Sequence, residues 1–130
     1  MAEVNILDDR KYTDEHEWVK VEGSLAIVGV TDYAATQLGD ITYVELPGEG
    51  DQLEQMGELG VIESVKAAAD FFSPLEGKVA EVNTELEDSP QLINEDCYGA
   101  GWMVKLDEFD KSGLEKLMDA AAYRALVEGL

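Results

Sequence analysis

Few residues of this 130-residue chain have the types and spacing of a catalytic or metal site. With one histidine, His16, and one cysteine, Cys97, the chain has no Cys/His zinc cluster and no HExxH or CxxC motif. It also has no GxGxxG, P-loop or GxSxG motif, and the glycines within residues 48–57 are spaced by acids that would repel phosphate. Chance carboxylate pairs are unavoidable among 29 Asp and Glu residues, but none forms a clustered site. The sequence therefore favours a protein without an active site or a bound metal.

One basic residue stands out, Lys66 in the segment GVIESVKAAAD, because only 9 residues of the chain are Lys or Arg. Read as a hairpin, this segment places Val65 and Lys66 at its tip, the most exposed position available. The three alanines that follow keep the tip narrow, so a modifying enzyme could close around the amine. A solubilising surface charge is the ordinary alternative for such a lysine, and spacing alone leaves both interpretations open.

The elements that would position this lysine follow from the pattern of apolar residues and turns. Residues 17–30 predict two strands around a turn at Gly23, and Thr31 offers an N-cap to a short helix that ends at Gly39. Further strands are predicted at residues 41–46, 59–64, 77–83 and 101–106. Because most strands have no room for crossover helices between them, we expect a mainly β fold, a sandwich or partly open barrel, with a short internal helix.

The C-terminal part of the chain has helical spacing instead. Within residues 112–128, Ser112 and Glu115 predict a capping box, and Asp119 offers a second helix start. We therefore expect a C-terminal helical segment at 112–128 that closes the β body.

Length, charge and hydrophobicity define the class of protein. We expect one domain over residues 1–130, with residues 10–107 as its β body. The net charge of −20 would repel a phosphate backbone, so nucleic acid is not an expected partner, and 45% hydrophobic residues argue against an acidic disordered segment. Without a long apolar run, a targeting pattern in the first ten residues or a second cysteine, the chain is expected to be a cytoplasmic monomer with no membrane contact.

Several blocks of the sequence resemble the glycine cleavage system H-protein family. The segment ESVKAAADFFSPLEGKVAEVN resembles the lipoyl-lysine segment of that family, and the likeness extends in order over residues 11–127, about nine-tenths of the chain. The blocks that carry it are HEWV, TDYA, LGDI, YVELP, ESVKA and GWM. Because six independent blocks match in register, Lys66 is identified as the counterpart of the lysine that this family modifies.

The resemblance implies a lipoyl/biotinyl-type fold, a flattened β-barrel or sandwich of the hammerhead hybrid kind, and a carrier without catalytic activity. It implies lipoate joined by an amide to Lys66, on an arm that reaches about 14 Å. The family's arm takes an aminomethyl group from the pyridoxal-phosphate glycine decarboxylase (P protein) and delivers it to the tetrahydrofolate-dependent aminomethyltransferase (T protein). Dihydrolipoyl dehydrogenase (L protein) reoxidises the arm, and lipoate-attaching enzymes are further implied partners.

The resemblance also implies roles for residues around the lysine. Glu17 and Asp70 match family positions that face the amine of the aminomethyl adduct in a surface cleft, where a carboxylate would pair with the ammonium group. Glu63, Gly50 and Gly77 match positions that the family uses when lipoylating enzymes recognise the hairpin. Glu17 could instead be an ordinary surface acid on a strand and Asp70 a turn acid, and the two glycines could simply form turns.

The other notable side chains have structural interpretations. A lone histidine before a tryptophan, His16, is expected to be packed or hydrogen-bonded, and Trp18 and Trp102 are expected in the core. Cys97 stands where family members commonly have proline and is expected to pack as a small apolar residue.

Other carrier functions compete with this interpretation. A relay that passes lipoyl or octanoyl groups to other lipoate-dependent complexes, or an H-like carrier for another lipoate-dependent pathway, would use the same lysine. A biotinyl carrier is disfavoured because methionines normally flank the lysine of a biotin hairpin, whereas here the neighbours are Val65 and Ala67.

Overall fold

The computed structural model describes residues 4–130, and these residues form nine strands. In chain order they are β1 (Lys11–Tyr12), β2 (Glu17–Glu22), β3 (Leu25–Val30), β4 (Ile41–Glu45), β5 (Gln52–Leu53), β6 (Glu58–Ser64), β7 (Ala68–Phe72), β8 (Gly77–Val82) and β9 (Val104–Asp107). They make two antiparallel sheets, one of six strands in the order β1-β2-β3-β9-β8-β5 and one of three in the order β4-β6-β7. The predicted mainly β class is confirmed.

Four short α-helices accompany the sheets: α1 (Asp32–Leu38), α2 (Glu85–Asp88), α3 (Leu92–Asp96) and α4 (Ala120–Glu128). Helix α1 begins as predicted, since the Thr31 hydroxyl accepts a hydrogen bond from the Ala34 amide at 3.2 Å. Helices α2 and α3 were not predicted, because each is anchored by one buried apolar residue, Leu86 or Ile93, and has no helical repeat to detect. None of the helices in residues 4–130 is long and apolar enough to cross a membrane.

The predicted capping box at the C-terminal segment is wrong. A 3₁₀ helix occupies Lys111–Lys116, and its cap is Asp110, whose Oδ1 accepts a hydrogen bond from the Ser112 amide at 3.0 Å. Helix α4 starts separately, where Asp119 Oδ1 accepts from the Ala122 amide at 2.8 Å. In both places an aspartate carboxylate, a stronger acceptor than the serine hydroxyl, caps the free amides.

The last predicted strand is also shorter than expected. Residues 101–103 precede β9, and Gly101 ends a tight turn against α3, in which its amide donates to the Asp96 carbonyl at 2.8 Å. A Cβ on Gly101 would lie 2.8 Å from the Leu92 carbonyl oxygen, so only glycine fits this turn. The approach of α3 therefore sets where β9 begins.

Apolar side chains of both sheets face each other and form the main core, with Val28, Ile62 and Leu106 fully buried. A second apolar cluster covers the outer side of the six-stranded sheet, where the rings of Tyr12 and Tyr123 stack with centroids 4.6 Å apart. These contacts fasten α4 to β1 and leave the hairpin between β6 and β7 to project from a well-anchored body.

Trp18 is 1% exposed in the second cluster, as predicted, whereas Trp102 is only half-buried at its edge. His16 is hydrogen-bonded as expected, with Nδ1 2.8 Å from the Tyr123 hydroxyl, and burial lowers the pKa of its imidazole. Cys97 is buried in the main core, and burial raises the pKa of its thiol to about 12. Its interpretation as a small apolar residue is confirmed.

Candidate functional site

Lys66 lies at the tip of the hairpin that joins β6 to β7, where the hairpin interpretation predicts it. The Ser64 amide donates a hydrogen bond to the Ala67 carbonyl at 2.7 Å and closes the turn. Val65 is 71% exposed, and Lys66 is exposed beside it. The backbone of this lysine is thus held in a closed turn while its side chain projects to the surface.

Ser64 organises the turn with its side chain as well. Its hydroxyl oxygen accepts hydrogen bonds from the amides of Lys66, at 3.3 Å, and Ala67, at 3.1 Å. The resemblance assigns Ser64 no role, although a serine directly before a turn is a known signal for such bonds. Because the Lys66 and Ala67 amides are paired within the turn, the backbone at the root of the lysine is held in place.

The hairpin is also attached to its neighbours. The Val65 amide donates to the Asp40 carbonyl at 3.0 Å, and the Thr42 hydroxyl donates to the Glu63 carbonyl at 3.3 Å. Asp40 directly precedes β4 and Thr42 lies within it, and β4 is the strand next to β6. The tip is therefore connected from one side and open on the other.

Glu17 is fully buried, so it is not the ordinary surface acid that the sequence left open. Its Oε1 accepts a hydrogen bond from the Thr13 hydroxyl, and its Oε2 accepts one from the Phe72 amide at 3.1 Å. Burial raises the pKa of Glu17 to about 7, against the opposing effect of these hydrogen bonds. The carboxyl group links β2 of the large sheet to the end of β7, the strand that begins next to the lysine tip.

Asp70 lies in the middle of β7, opposite Val61 of β6, and its side chain is exposed. The alternative interpretation of Asp70 as a turn acid is wrong, because the hairpin turn is tight and β7 already begins at Ala68. Residues 70 and 72 point to the same side of the strand, since side chains alternate along it. Asp70 and Phe72, whose amide donates to Glu17, therefore lie two residues apart on one strand.

The residues implied in enzyme recognition separate into two places. Glu63 is exposed on β6, within the hairpin itself. Gly50 and Gly77 lie instead at β8 of the other sheet, where the Gly50 amide donates to the Val79 carbonyl at 2.8 Å. Gly50 has a φ of 89°, and a Cβ on Gly77 would lie 3.1 Å from the Phe109 Cβ. Both glycines therefore have a local steric reason to be glycine.

The described residues offer little other chemistry. No group of three or more His, Cys, Asp or Glu side chains within residues 4–130 is arranged to hold a metal ion. A cavity of about 350 Å³, lined by Thr13, Met56 and Leu117 among others, includes none of the hairpin tip residues. The lysine at the hairpin tip is exposed and lies outside this cavity.

Comparisons with known proteins find relatives that match nearly the whole chain. A family model described as glycine cleavage H-protein matches residues 10–129. The glycine cleavage system H protein of Symbiobacterium thermophilum is 52% identical over 124 residues, covering 95% of this chain and 97% of that protein. The one from Anaeromyxobacter sp. (strain K) is 51% identical over 125 residues, covering 96% and 98%. The crystal structure of a glycine cleavage system H protein from Mycobacterium marinum matches with a TM-score of 0.84 at 34% identity, covering 96% of this chain and all of that one.

Proposed function

Because this chain belongs to the glycine cleavage H-protein family, whose members carry lipoate covalently on a lysine, we propose that Lys66 is its lipoylated residue. The chain is a lipoyl carrier of the glycine cleavage system. The observation that carries the choice of lysine is its place at an exposed, internally hydrogen-bonded hairpin tip.

The surroundings of Lys66 suit an amide-linked group. Among residues 4–130 it makes no salt bridge, so acylation of its amine would break no ion pair. The exposed tip leaves room for an attaching enzyme to reach Nζ, and the fixed turn holds the root of the arm in one place. Bound lipoate supplies a dithiolane at the end of this arm, a chemistry that no side chain of the described residues can replace.

In the proposed cycle the carrier receives the aminomethyl group at the P protein, gives it up at the T protein and is reoxidised at the L protein. It has no active site of its own, and lipoate-attaching enzymes are its further partners. A small carrier that meets several enzymes in turn benefits from fast, weak encounters, and the net charge of −20 suits steering toward basic surfaces. The proposal includes a monomeric carrier of one domain that works in the cytoplasm.

We extend the proposal to a cleft along β7 for the loaded arm. Asp70 lies four residues from Lys66, at most about 13 Å along the chain, which is within the reach of about 14 Å of a lipoyl-lysine arm. Its exposed carboxylate would pair with the cationic amine of the adduct. Glu17 is buried and bonded to the Phe72 amide, and it would face the amine only after the contact with Thr13 opens.

The modification is tested by expression with lipoate and a lipoate-attaching enzyme, followed by intact mass and peptide mapping. We expect one lipoyl group on Lys66, none on the variant Lys66→Arg and full modification of the control Lys78→Arg, another exposed lysine. Lipoylation of Lys66→Arg would disprove the assignment. Glu63, Gly50 and Gly77 remain proposed recognition residues for the attaching enzyme.

The place in the cycle needs a second measurement, the exchange of carbon dioxide with the carboxyl group of glycine that glycine decarboxylase catalyses. The lipoylated protein should stimulate this exchange. A lipoylated protein without any effect would favour the relay of lipoyl or octanoyl groups instead.

A further inference from the structure

The hairpin tip rests on the connection between α1 and β4, residues 39–41, which we call the tip seat. The Val65 amide donates to the Asp40 carbonyl in the middle of this seat at 3.0 Å. The Lys66 side chain crosses the seat, with Cε 3.5 Å from the place that a Cβ on Gly39 would take. The seat therefore contacts both the backbone of the tip and the aliphatic part of the lysine.

Asn94 of α3 holds the tip seat at both ends. Its Nδ2 donates to the Gly39 carbonyl at 2.8 Å, and its Oδ1 accepts from the Ile41 amide at 2.9 Å. The two bonds flank Asp40, the residue whose carbonyl receives the Val65 amide. A primary amide is the side-chain group that donates and accepts at once in this way, so an aspartate or a leucine could not make both bonds.

The tip seat is a short connection, so contacts from another part of the chain are needed to hold it in place. Gly39 ends α1 with a φ of 77°, a conformation that glycine adopts without strain and that does not continue the helix. Ile41 then begins β4, so Gly39 and Asp40 alone connect the two elements. Asn94 lies on a five-residue helix, 53 residues after Ile41 in the chain. Its exposed side chain makes both hydrogen bonds to the seat.

We propose that Asn94 is a positioning residue for the carrier lysine, because it fixes the seat on which the hairpin tip lies. Its effect on lipoylation rests on the proposed function of Lys66, whereas its effect on the tip does not. When the seat is loose, the tip spends part of its time detached. An attaching enzyme that binds only the docked tip then shows a lower apparent affinity, in proportion to the fraction of molecules whose tip is docked.

The test uses Asn94→Ala and compares it with Glu95→Ala, an exposed neighbour on the same helix. In amide hydrogen exchange followed by NMR, Asn94→Ala should increase the exchange rate of the Val65 amide about fivefold, the effect of losing one net hydrogen bond. Amides in the centre of β6 should exchange at the wild-type rate. Glu95→Ala should leave all these rates unchanged.

Lipoylation kinetics give the second readout. With an attaching enzyme and purified apo-proteins, Asn94→Ala should increase KM for the carrier by the factor by which the docked fraction falls, at most about fivefold, and leave kcat within twofold. A general loss of folded protein would instead lower the amount modified at saturation. If Asn94→Ala does not fold, both measurements are made on Asn94→Asp instead. This variant keeps the acceptor for the Ile41 amide and loses only the donor to the Gly39 carbonyl.

Every other outcome overturns one defined part of the proposal. A Val65 exchange rate equal to that of wild type, or an increase shared by the centre of β6, overturns the seat as the support of the tip. Faster Val65 exchange with a KM that does not follow the fall in the docked fraction overturns the positioning of the lysine for its enzyme. If wild-type protein accepts no lipoyl group at Lys66, the proposed function fails, and Val65 exchange still decides whether Asn94 holds the tip.

Discussion

The Glu17 carboxyl group accepts a hydrogen bond from the Phe72 amide, 3.1 Å away, and so joins the large sheet to the strand that leads to the lysine tip. This bond lies inside the protein, where a charged carboxylate is poorly solvated, and burial raises the pKa of Glu17 to about 7. The same group thus connects the two sheets and titrates in the neutral range.

Glu17 should make the stability of the fold depend on pH. The folded protein holds a proton on Glu17 up to about pH 7, whereas an unfolded chain releases it near the ordinary value of 4.5. Stability from this group is therefore complete below pH 4.5 and is lost as the pH rises to about 7, a total of about 3 kcal/mol. Urea unfolding between pH 4.5 and 8 measures this loss.

The variant Glu17→Gln isolates the effect, because its amide does not titrate and can still accept from Phe72. Its free energy of unfolding should fall less than that of wild type as the pH rises from 4.5 to 8. The exposed neighbour variant Glu15→Gln controls for the loss of one acid among 29. Parallel curves for wild type and Glu17→Gln would show that Glu17 keeps its ordinary pKa.

Lys66→Ala should separate folding from carrier activity. The side chain is exposed at a turn that backbone and Ser64 hydrogen bonds maintain, so the free energy of unfolding should change by less than about 0.5 kcal/mol. Stimulation of glycine decarboxylase should disappear completely, because no other lysine is presented at this tip. Thermal unfolding and the carbon dioxide exchange assay test the two parts, and an active Lys66→Ala protein would refute the carrier assignment.

Gly77→Ala and Gly50→Ala should destabilise the protein for different reasons. A Cβ at Gly77 would lie 3.1 to 3.3 Å from Phe109, Leu106 and Asp107, and such overpacking costs about 1 to 3 kcal/mol. At Gly50 the space is open, and only the left-handed backbone, with a φ of 89°, costs about 1 to 2 kcal/mol. Denaturant unfolding should detect both losses.

The same two variants test recognition by the attaching enzyme. If the glycines act only through local geometry, the rate of lipoylation per folded molecule stays at the wild-type value. A tenfold slower rate for a fully folded variant would support direct recognition at that glycine.

Added salt should weaken the stimulation of partner enzymes by the carrier. With a net charge of −20, encounters with basic enzyme surfaces are accelerated at low ionic strength and screened at high ionic strength. Stimulation of the decarboxylase, measured at a carrier concentration below saturation, should therefore decrease from 20 mM to about 500 mM salt, as the Debye length shortens. A flat response would limit the role of the charge to solubility.

Local sequence patterns predicted the parts of the fold that local physics controls. Alternating apolar residues, the Thr31 cap and the glycine turns indicated the β body and α1, and a lysine between a strand and small residues indicated the hairpin tip. Where a competing local group was stronger, the prediction was wrong, since Asp110 caps the 3₁₀ helix in place of Ser112. Short helices with one buried residue, such as α2, left no pattern to detect.

The sequence by itself determined the family, the β class and the lysine that the carrier presents. Only the tertiary structure decided what surrounds that lysine: Glu17 is buried against Phe72, 55 residues away, and Asn94 bonds to Ile41, 53 residues away. Strands and turns follow from neighbouring residues, because backbone geometry and side-chain alternation are local. A hydrogen bond between distant segments depends instead on how sheets and helices pack, and this packing turns an acid of β2 and an amide of α3 into supports of the hairpin.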